Sequence, residues 1–245
     1  MTFVSRNSRG RSAPSVLLRG CAAGFVAIGF LSTYCGVTPP FSLRLTSGGA
    51  RPVAAFIGDS YTAGAGASSA RTRWTYLVSQ QMGWSEDDFG RGGTGYVRTI
   101  TPGQPCRHND SCPNYPGIVD EVAATHPDIV VVAGGQNDLT EFDVHRDLVT
   151  ASIADTFTAL REQLPDARII GIGPSVPRAV TDSVVAFNDD VQGAVRAVGG
   201  EFVSLIAPTP VIRPDMVLPD RTHVNDAGHA AIAARIVDAL TPPIN

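Results

Sequence analysis

From residue 53 onward, short apolar runs alternate with longer stretches whose apolar residues recur at helical spacing. The run at 53–57 (Val-Ala-Ala-Phe-Ile) predicts a strand. Trp74, Leu77, Val78, Gln81 and Met82 share one face at a period near 3.6, which predicts a helix over 71–82. A short second strand is expected around Asp88-Phe89. The run at 128–133, with Ile129-Val130-Val131-Val132, is the strongest strand signal and reads as buried on both faces. Beyond it come a helix at 147–164 stopped by Pro165, a strand at 168–172, a helix at 183–198 ended by Gly199-Gly200, and a strand at 201–206. A helix at 225–240 closes the chain, with Asn225 placed as its cap and Pro242-Pro243 beyond its end.

Strands and helices alternating through short links argue for a parallel sheet covered by helices on both faces. The expected class is α/β, a three-layer α/β/α flavodoxin-like sandwich on a central, mostly parallel sheet of about five strands. The stretch 98–117 has too many Pro, Gly and Asn residues for a regular element, and a long loop in such a fold is often part of a binding cleft.

Composition sharpens this in two ways. Hydrophobic content of 43% and charged content of 17% suit a globular chain, and a net charge of −4 gives no support for binding nucleic acid. The first 50 residues stand apart. Arg6, Arg9, Arg11 and Arg19 precede an uncharged stretch from 20 to 43, the pattern of a secretory signal or a retained membrane anchor. The expected division is therefore a signal or anchor at 1–36, a linker at 37–51 and one domain at 52–245, secreted or held outside the cytoplasm by that segment. Cys106 and Cys112 flank five residues of the Pro/Gly-rich loop, and in an exported chain they are expected to form a local disulfide. A metal site using His108 and Asp110 is the rival for that segment, but the cysteine spacing does not match paired zinc ligands.

The chemistry lies where the strands end, because ligands of open parallel sheets bind outside the carboxyl ends of their strands. Ser60, in Gly58-Asp59-Ser60-Tyr61, follows the first strand. Gly92-Gly93-Thr94-Gly95 follows the second, Gly134-Gly135-Gln136-Asn137-Asp138 the third, and Asp220-Arg221-Thr222-His223 precedes the last helix. A serine hydroxyl becomes an effective nucleophile when a base takes its proton, and His223 is the candidate base. Asp220 can orient that imidazole and stabilise its cation. The backbone N–H groups of Ser60 and Gly93 and the amide of Asn137 are candidate donors to an oxyanion. Asp59 and Asp138 read as carboxylates that hold loops, and His229 as a packing or polar-network residue.

In order, these four segments resemble the sequence blocks of the SGNH hydrolases, also called GDSL-type esterases and lipases. The resemblance spans residues 58 to 223. It implies Ser60 as nucleophile and oxyanion donor, Gly93 and Asn137 as the other donors, and His223 as base supported by Asp220, with no metal or nucleotide cofactor. The second block departs from the commonest form. Asp88 stands where an Asn is usual, which leaves Gly92 as an alternative to Gly93. The α/β-hydrolase pattern fits less well, because position 62 is Thr where its nucleophile elbow has Gly.

The function expected is an exported serine esterase acting on short or medium acyl esters, including O-acetyl groups on glycans. The enzyme is expected to be monomeric, with a small-molecule or glycan ester as its partner. An O-acyltransferase using the same residues and a non-catalytic glycan-binding module are the alternatives. The module has no need of a serine, a base and oxyanion donors in register.

Overall fold

The computed structural model describes residues 49–101 and 112–241. Five strands form one sheet: β1 (Val53–Gly58), β2 (Ser85–Gly90), β3 (Ile129–Ala133), β4 (Arg168–Ile172) and β5 (Glu201–Val203). All neighbours pair in parallel, in the order β2-β1-β3-β4-β5. That is the flavodoxin-like order, in which the chain reverses direction across the sheet between β1 and β3. The expected fold class holds.

Period-two alternation divides the core between two layers of helices. Val130 and Val132 of β3 face one side with Ala55 and Ile57 of β1. There they meet α2 (Val119–Ala123), α4 (Arg146–Gln163) and α5 (Asp182–Ala197) through Val122, Ile153, Phe157, Val191 and Val195. Ile129 and Val131 face the other side with Ala54 and Phe56. They meet α1 (Trp74–Met82) and α6 (Asp226–Leu240) through Trp74, Val78, Ile232 and Ile236. Trp74 is 2% exposed and packs edge-on against Phe56, which makes it a core residue. A sixth helix, α3 (Leu139–Val144), follows the turn after β3.

Three boundaries differ from the sequence expectation, each for a local reason. β2 begins at Ser85, where the residues are mostly acidic. It forms an edge of the sheet, and Arg73 pairs with both Glu86 and Asp88, so the charges are compensated. The first helix begins at Trp74, after a 3-10 turn at Ala70–Thr72. β5 stops at Val203, because Ser204 Oγ accepts the N–H groups of Ile206 (3.3 Å) and Ala207 (3.0 Å) and turns the chain aside. At α6 the cap is as expected, with the Asn225 side chain accepting the Gly228 N–H at 3.2 Å.

The N-terminal segment and Cys106 lie outside the described residues, as do His108 and Asp110. Cys112 is buried and bridges Ile100 in antiparallel fashion. Among the described residues no helix is long and apolar enough to cross a membrane.

Candidate active site

Gly58 of β1 is in register with Ala133 of β3, so the segments following these two strands leave the sheet side by side. After β1 the chain enters a helical turn, with the Ala63 N–H on Asp59 O and the Ala65 N–H on Ser60 O. This turn lifts Ser60 above the sheet edge, partly exposed. His223 Nε2 lies 3.0 Å from Ser60 Oγ, and His223 Nδ1 lies 2.7 Å from Asp220 Oδ2. The remaining Asp220 oxygen accepts the backbone N–H groups of Thr222 and His223, both at 2.9 Å. These two backbone bonds and the imidazole contact hold the Asp220 carboxyl down at about 2. It stays ionised throughout the neutral range.

Arg221 supports this tight loop with a left-handed φ of 59°. A second hold comes from Tyr61, whose hydroxyl donates to Thr222 O at 2.7 Å while its ring lies 6.2 Å from that of His223. The loop carrying the imidazole is thus tied to the residue after Ser60. Nothing in the residue types alone signals this latch.

Beside Ser60 stands a turn formed by Arg91-Gly92-Gly93-Thr94, closed by the Thr94 N–H on Arg91 O at 3.3 Å. Gly93 has φ +79° and Gly92 does not share this positive φ, the pattern of a type II turn. A Cβ added at Gly92 would have Ser60 as its nearest neighbour, at 3.8 Å, whereas one at Gly93 would meet Ile100 at 2.8 Å. Asn137 lies in the 3-10 turn Gln136–Asp138 that follows β3. Its side-chain amide donates one hydrogen to Thr94 O at 2.8 Å, which leaves the other available. Among the described residues, neither the Ser60 nor the Gly93 N–H has a hydrogen-bond acceptor. Ser60, Gly93, Asn137, Asp220 and His223 are therefore drawn from four distant segments to one edge of the sheet. A hydroxyl bonded to an imidazole, facing uncommitted N–H donors, is an arrangement suited to acyl transfer.

The model of the GDSL-like lipase/acylhydrolase family matches residues 56–231, well over half of the chain and all four segments. The chain belongs to this family.

It is a carboxylic ester hydrolase of the SGNH/GDSL type. A GDSL lipase of Mycobacterium tuberculosis is 32% identical over 200 residues, covering 76% of this chain and 80% of that protein. Solved structures share the fold at lower identity. A family 2 carbohydrate esterase from Corynascus thermopiles (Myceliophthora fergusii) is 18% identical with a TM-score of 0.61, over 79% of this chain and 67% of that one. The salicylyl-acyltransferase SsfX3 from a tetracycline biosynthetic pathway is 17% identical with a TM-score of 0.59. The alignment covers 79% of this chain and 55% of that protein.

The other polar residues of this acylhydrolase hold its loops. Asp138 is buried, and its carboxylate accepts the N–H groups of Tyr96 (2.6 Å), Val97 (3.3 Å) and Arg98 (2.9 Å). A Cβ on Gly95 would lie 2.1 Å from that carboxylate, so the chain can pass there only as glycine. Asp88, at the departure from the usual second block, accepts the Gly90 N–H at 2.8 Å and pairs with Arg73, anchoring the strand end that leads into the glycine turn. His229 is fully buried. Its Nδ1 lies 3.4 Å from the Trp74 N–H and its Nε2 lies 3.2 Å from Ala65 O, contacts that fit the neutral ring with its proton on Nε2. Burial pushes its pKa down, in keeping with a structural role.

Asp59 carries a testable pH dependence. Its carboxyl is fully buried, accepts the Tyr61 N–H at 2.9 Å and neighbours Tyr115 and Asp138. Burial pushes its pKa up to about 7, outweighing the Tyr61 hydrogen bond, and Asp138 adds to the rise. A raised folded-state pKa means that the native state holds the proton more tightly than the unfolded chain. The resulting stability is fully present below the unfolded value of 3.8 and is lost as pH rises through about 7. The loss amounts to about 4 kcal/mol at most. Asp59→Asn, which mimics the protonated form, is expected to flatten this slope. Urea unfolding of both forms at intervals from pH 4.5 to 8 checks it, and parallel pH profiles would remove Asp59 as the cause.

Proposed function

We propose that this acylhydrolase cleaves carboxylic esters through a covalent acyl-enzyme on Ser60. The observation that carries the reading is the continuous chain from Ser60 Oγ through His223 to Asp220, at 3.0 and 2.7 Å, beside uncommitted N–H donors. In the first half-reaction Ser60 Oγ attacks the ester carbonyl carbon as its proton moves to His223 Nε2. The carbonyl π electrons pass to oxygen, and the oxyanion is received by the Ser60 N–H, the Gly93 N–H and the free hydrogen of Asn137 Nδ2. Collapse of the tetrahedral intermediate expels the alcohol, which takes the proton from Nε2. Water then repeats the sequence on the acyl-enzyme, giving the acid and restoring the serine. Asp220, ionised at working pH, keeps the Nδ1 proton facing itself and leaves Nε2 to act as base.

Gly93 is taken as the donor on the resemblance of its segment to the family's second block, with Gly92 the alternative. The Gly93 N–H has no acceptor among the described residues, and a Cβ added at Gly92 would have Ser60 as its nearest neighbour.

The substrate class we propose is a short or medium acyl ester, including O-acetyl groups on glycans, met outside the cytoplasm. The basic and then apolar N-terminal sequence supports that location, and the carbohydrate esterases that share the fold keep glycan esters among the first substrates to try. The test is direct. A fluorophosphonate probe is expected to add once to the folded protein, on the peptide containing Ser60, as located by mass spectrometry. Labelling that survives Ser60→Ala unchanged, or no labelling of folded protein, would overturn the assignment.

A further inference from the structure

A small cavity lies beneath the candidate site, at the carboxyl ends of β1, β3 and β4, with about 10 Å³ of room for a sphere the size of water. That is space for about one water molecule or a methyl group. Asp59 and Tyr61, the two neighbours of Ser60, line it from one side. Gln136, the neighbour of Asn137, lines it from the other and is alone among its lining residues in not being buried. Gln136 is therefore the lining residue that reaches toward solvent, and its neighbour in the chain is Asn137. The deeper wall is apolar, built by Trp74, Ile172, Leu205 and Ile232. Two polar atoms interrupt it. Among the described residues, Ser175 Oγ and Gln136 Oε1 are buried with no hydrogen-bond partner. Ser175 is 4% exposed and lies in the segment after β4.

We infer that this cavity is the acyl pocket of the enzyme and that it limits the acyl group to two or three carbons, with Ser175 setting its depth; the inference rests on Ser60 being the nucleophile. On this reading, with the ester carbonyl carbon on Ser60 and its oxygen toward Asn137, the acyl methyl enters the cavity past Gln136. A methyl group fills the available room. A longer tail runs against the Ser175 hydroxyl, an already buried polar group that an apolar tail cannot pair, and exceeds the room the cavity has. The walls cannot yield cheaply, because Trp74, Ile172 and Ile232 belong to the core between the sheet and the α1/α6 layer.

The experiment is a chain-length series of 4-nitrophenyl esters from acetate to octanoate, run with wild type, Ser175→Val and Leu205→Ala. One methylene in a closed apolar pocket typically changes selectivity by about 10–200-fold. Wild type is expected to show kcat/KM falling at least about tenfold from acetate to butyrate, with octanoate lower still. Ser175→Val fills the pocket and is expected to lower kcat/KM on acetate by at least about tenfold. Leu205→Ala enlarges it and is expected to move the optimum toward butyrate. A wild-type profile that is flat or rises toward octanoate overturns the inference without any variant. An acetate-to-butyrate ratio unchanged in both folded variants overturns it as well. Fluorophosphonate labelling of Ser60 in each form separates the two readings. If Ser60 labels and the profile is flat, the pocket falls and the nucleophile stands. If Ser60 does not label, both fall.

Discussion

Ser60→Ala is expected to lower kcat for ester hydrolysis by about 10⁴–10⁶-fold while leaving the fold intact. Ser60 is partly exposed, and among the described residues the one hydrogen bond of its hydroxyl runs to His223. Truncation therefore removes the nucleophile without opening a core cavity, and the melting temperature should shift by only a few degrees at most. His223→Ala should cost about as much, because an unactivated serine is a poor nucleophile at neutral pH. The double variant is expected to be no worse than either single one. The two groups act as a unit, so removing the second takes away nothing the first had left working. What remains is rate enhancement from binding and the oxyanion donors, measurable with an activated ester against the uncatalysed background. Additive losses would mean that the serine and the imidazole act independently. More than a few per cent of wild-type kcat in Ser60→Ala would remove it as the nucleophile.

What could be read before the structure was known follows from which physical signals a sequence carries. The five strands were legible where burial on both faces forces continuous apolar runs, as in β3, and weak where a strand lies at the sheet edge. β2 is written Ser85-Glu86-Asp87-Asp88, and its strand character depends on Arg73, a residue from the preceding segment. The helices α2 and α3 are five and six residues long, too short for a helical period to establish itself. At the site, residues whose side chains approach substrate were identifiable by type: a serine, an Asp and a His three apart, an Asn after a glycine pair. Residues that act through backbone groups were not. The Thr94 carbonyl orients Asn137, and the Thr222 carbonyl receives Tyr61, yet a carbonyl is the same in every residue. The cavity at Ser175 was invisible for a similar reason. Its walls come from β3, β4, α1, α6 and the segments that follow β1, β3, β4 and β5, and only the folded register brings them together.

Asn137→Ala is expected to lower kcat by about 10²–10³-fold, a loss of about 2.7–4 kcal/mol of transition-state stabilisation. The Asn137 amide is held in place before substrate arrives, since one of its hydrogens is already committed to Thr94 O at 2.8 Å. The other is therefore preorganised and needs no rotamer search as charge develops on the carbonyl oxygen. Because that charge is fullest in the tetrahedral intermediate, the loss should appear in kcat with KM changed little. Asn137→Asp distinguishes donation from packing. It keeps the size of the side chain, removes both donors and places a carboxylate beside Thr94 O and the developing oxyanion, so it should be worse than alanine. Alanine also frees the Thr94 carbonyl, loosening the turn that carries Gly93, so part of its effect should reach the second donor. A Gly93→Ala change probes the same turn from its other end, since φ +79° and the Ile100 contact at 2.8 Å both oppose a Cβ there. If Asn137 and Gly93 serve one oxyanion, the losses from Asn137→Ala and Gly93→Ala combine less than additively. Equal losses in kcat for Asn137→Ala and Asn137→Asp, with KM raised in both, would assign Asn137 to ground-state binding and remove it from the oxyanion site.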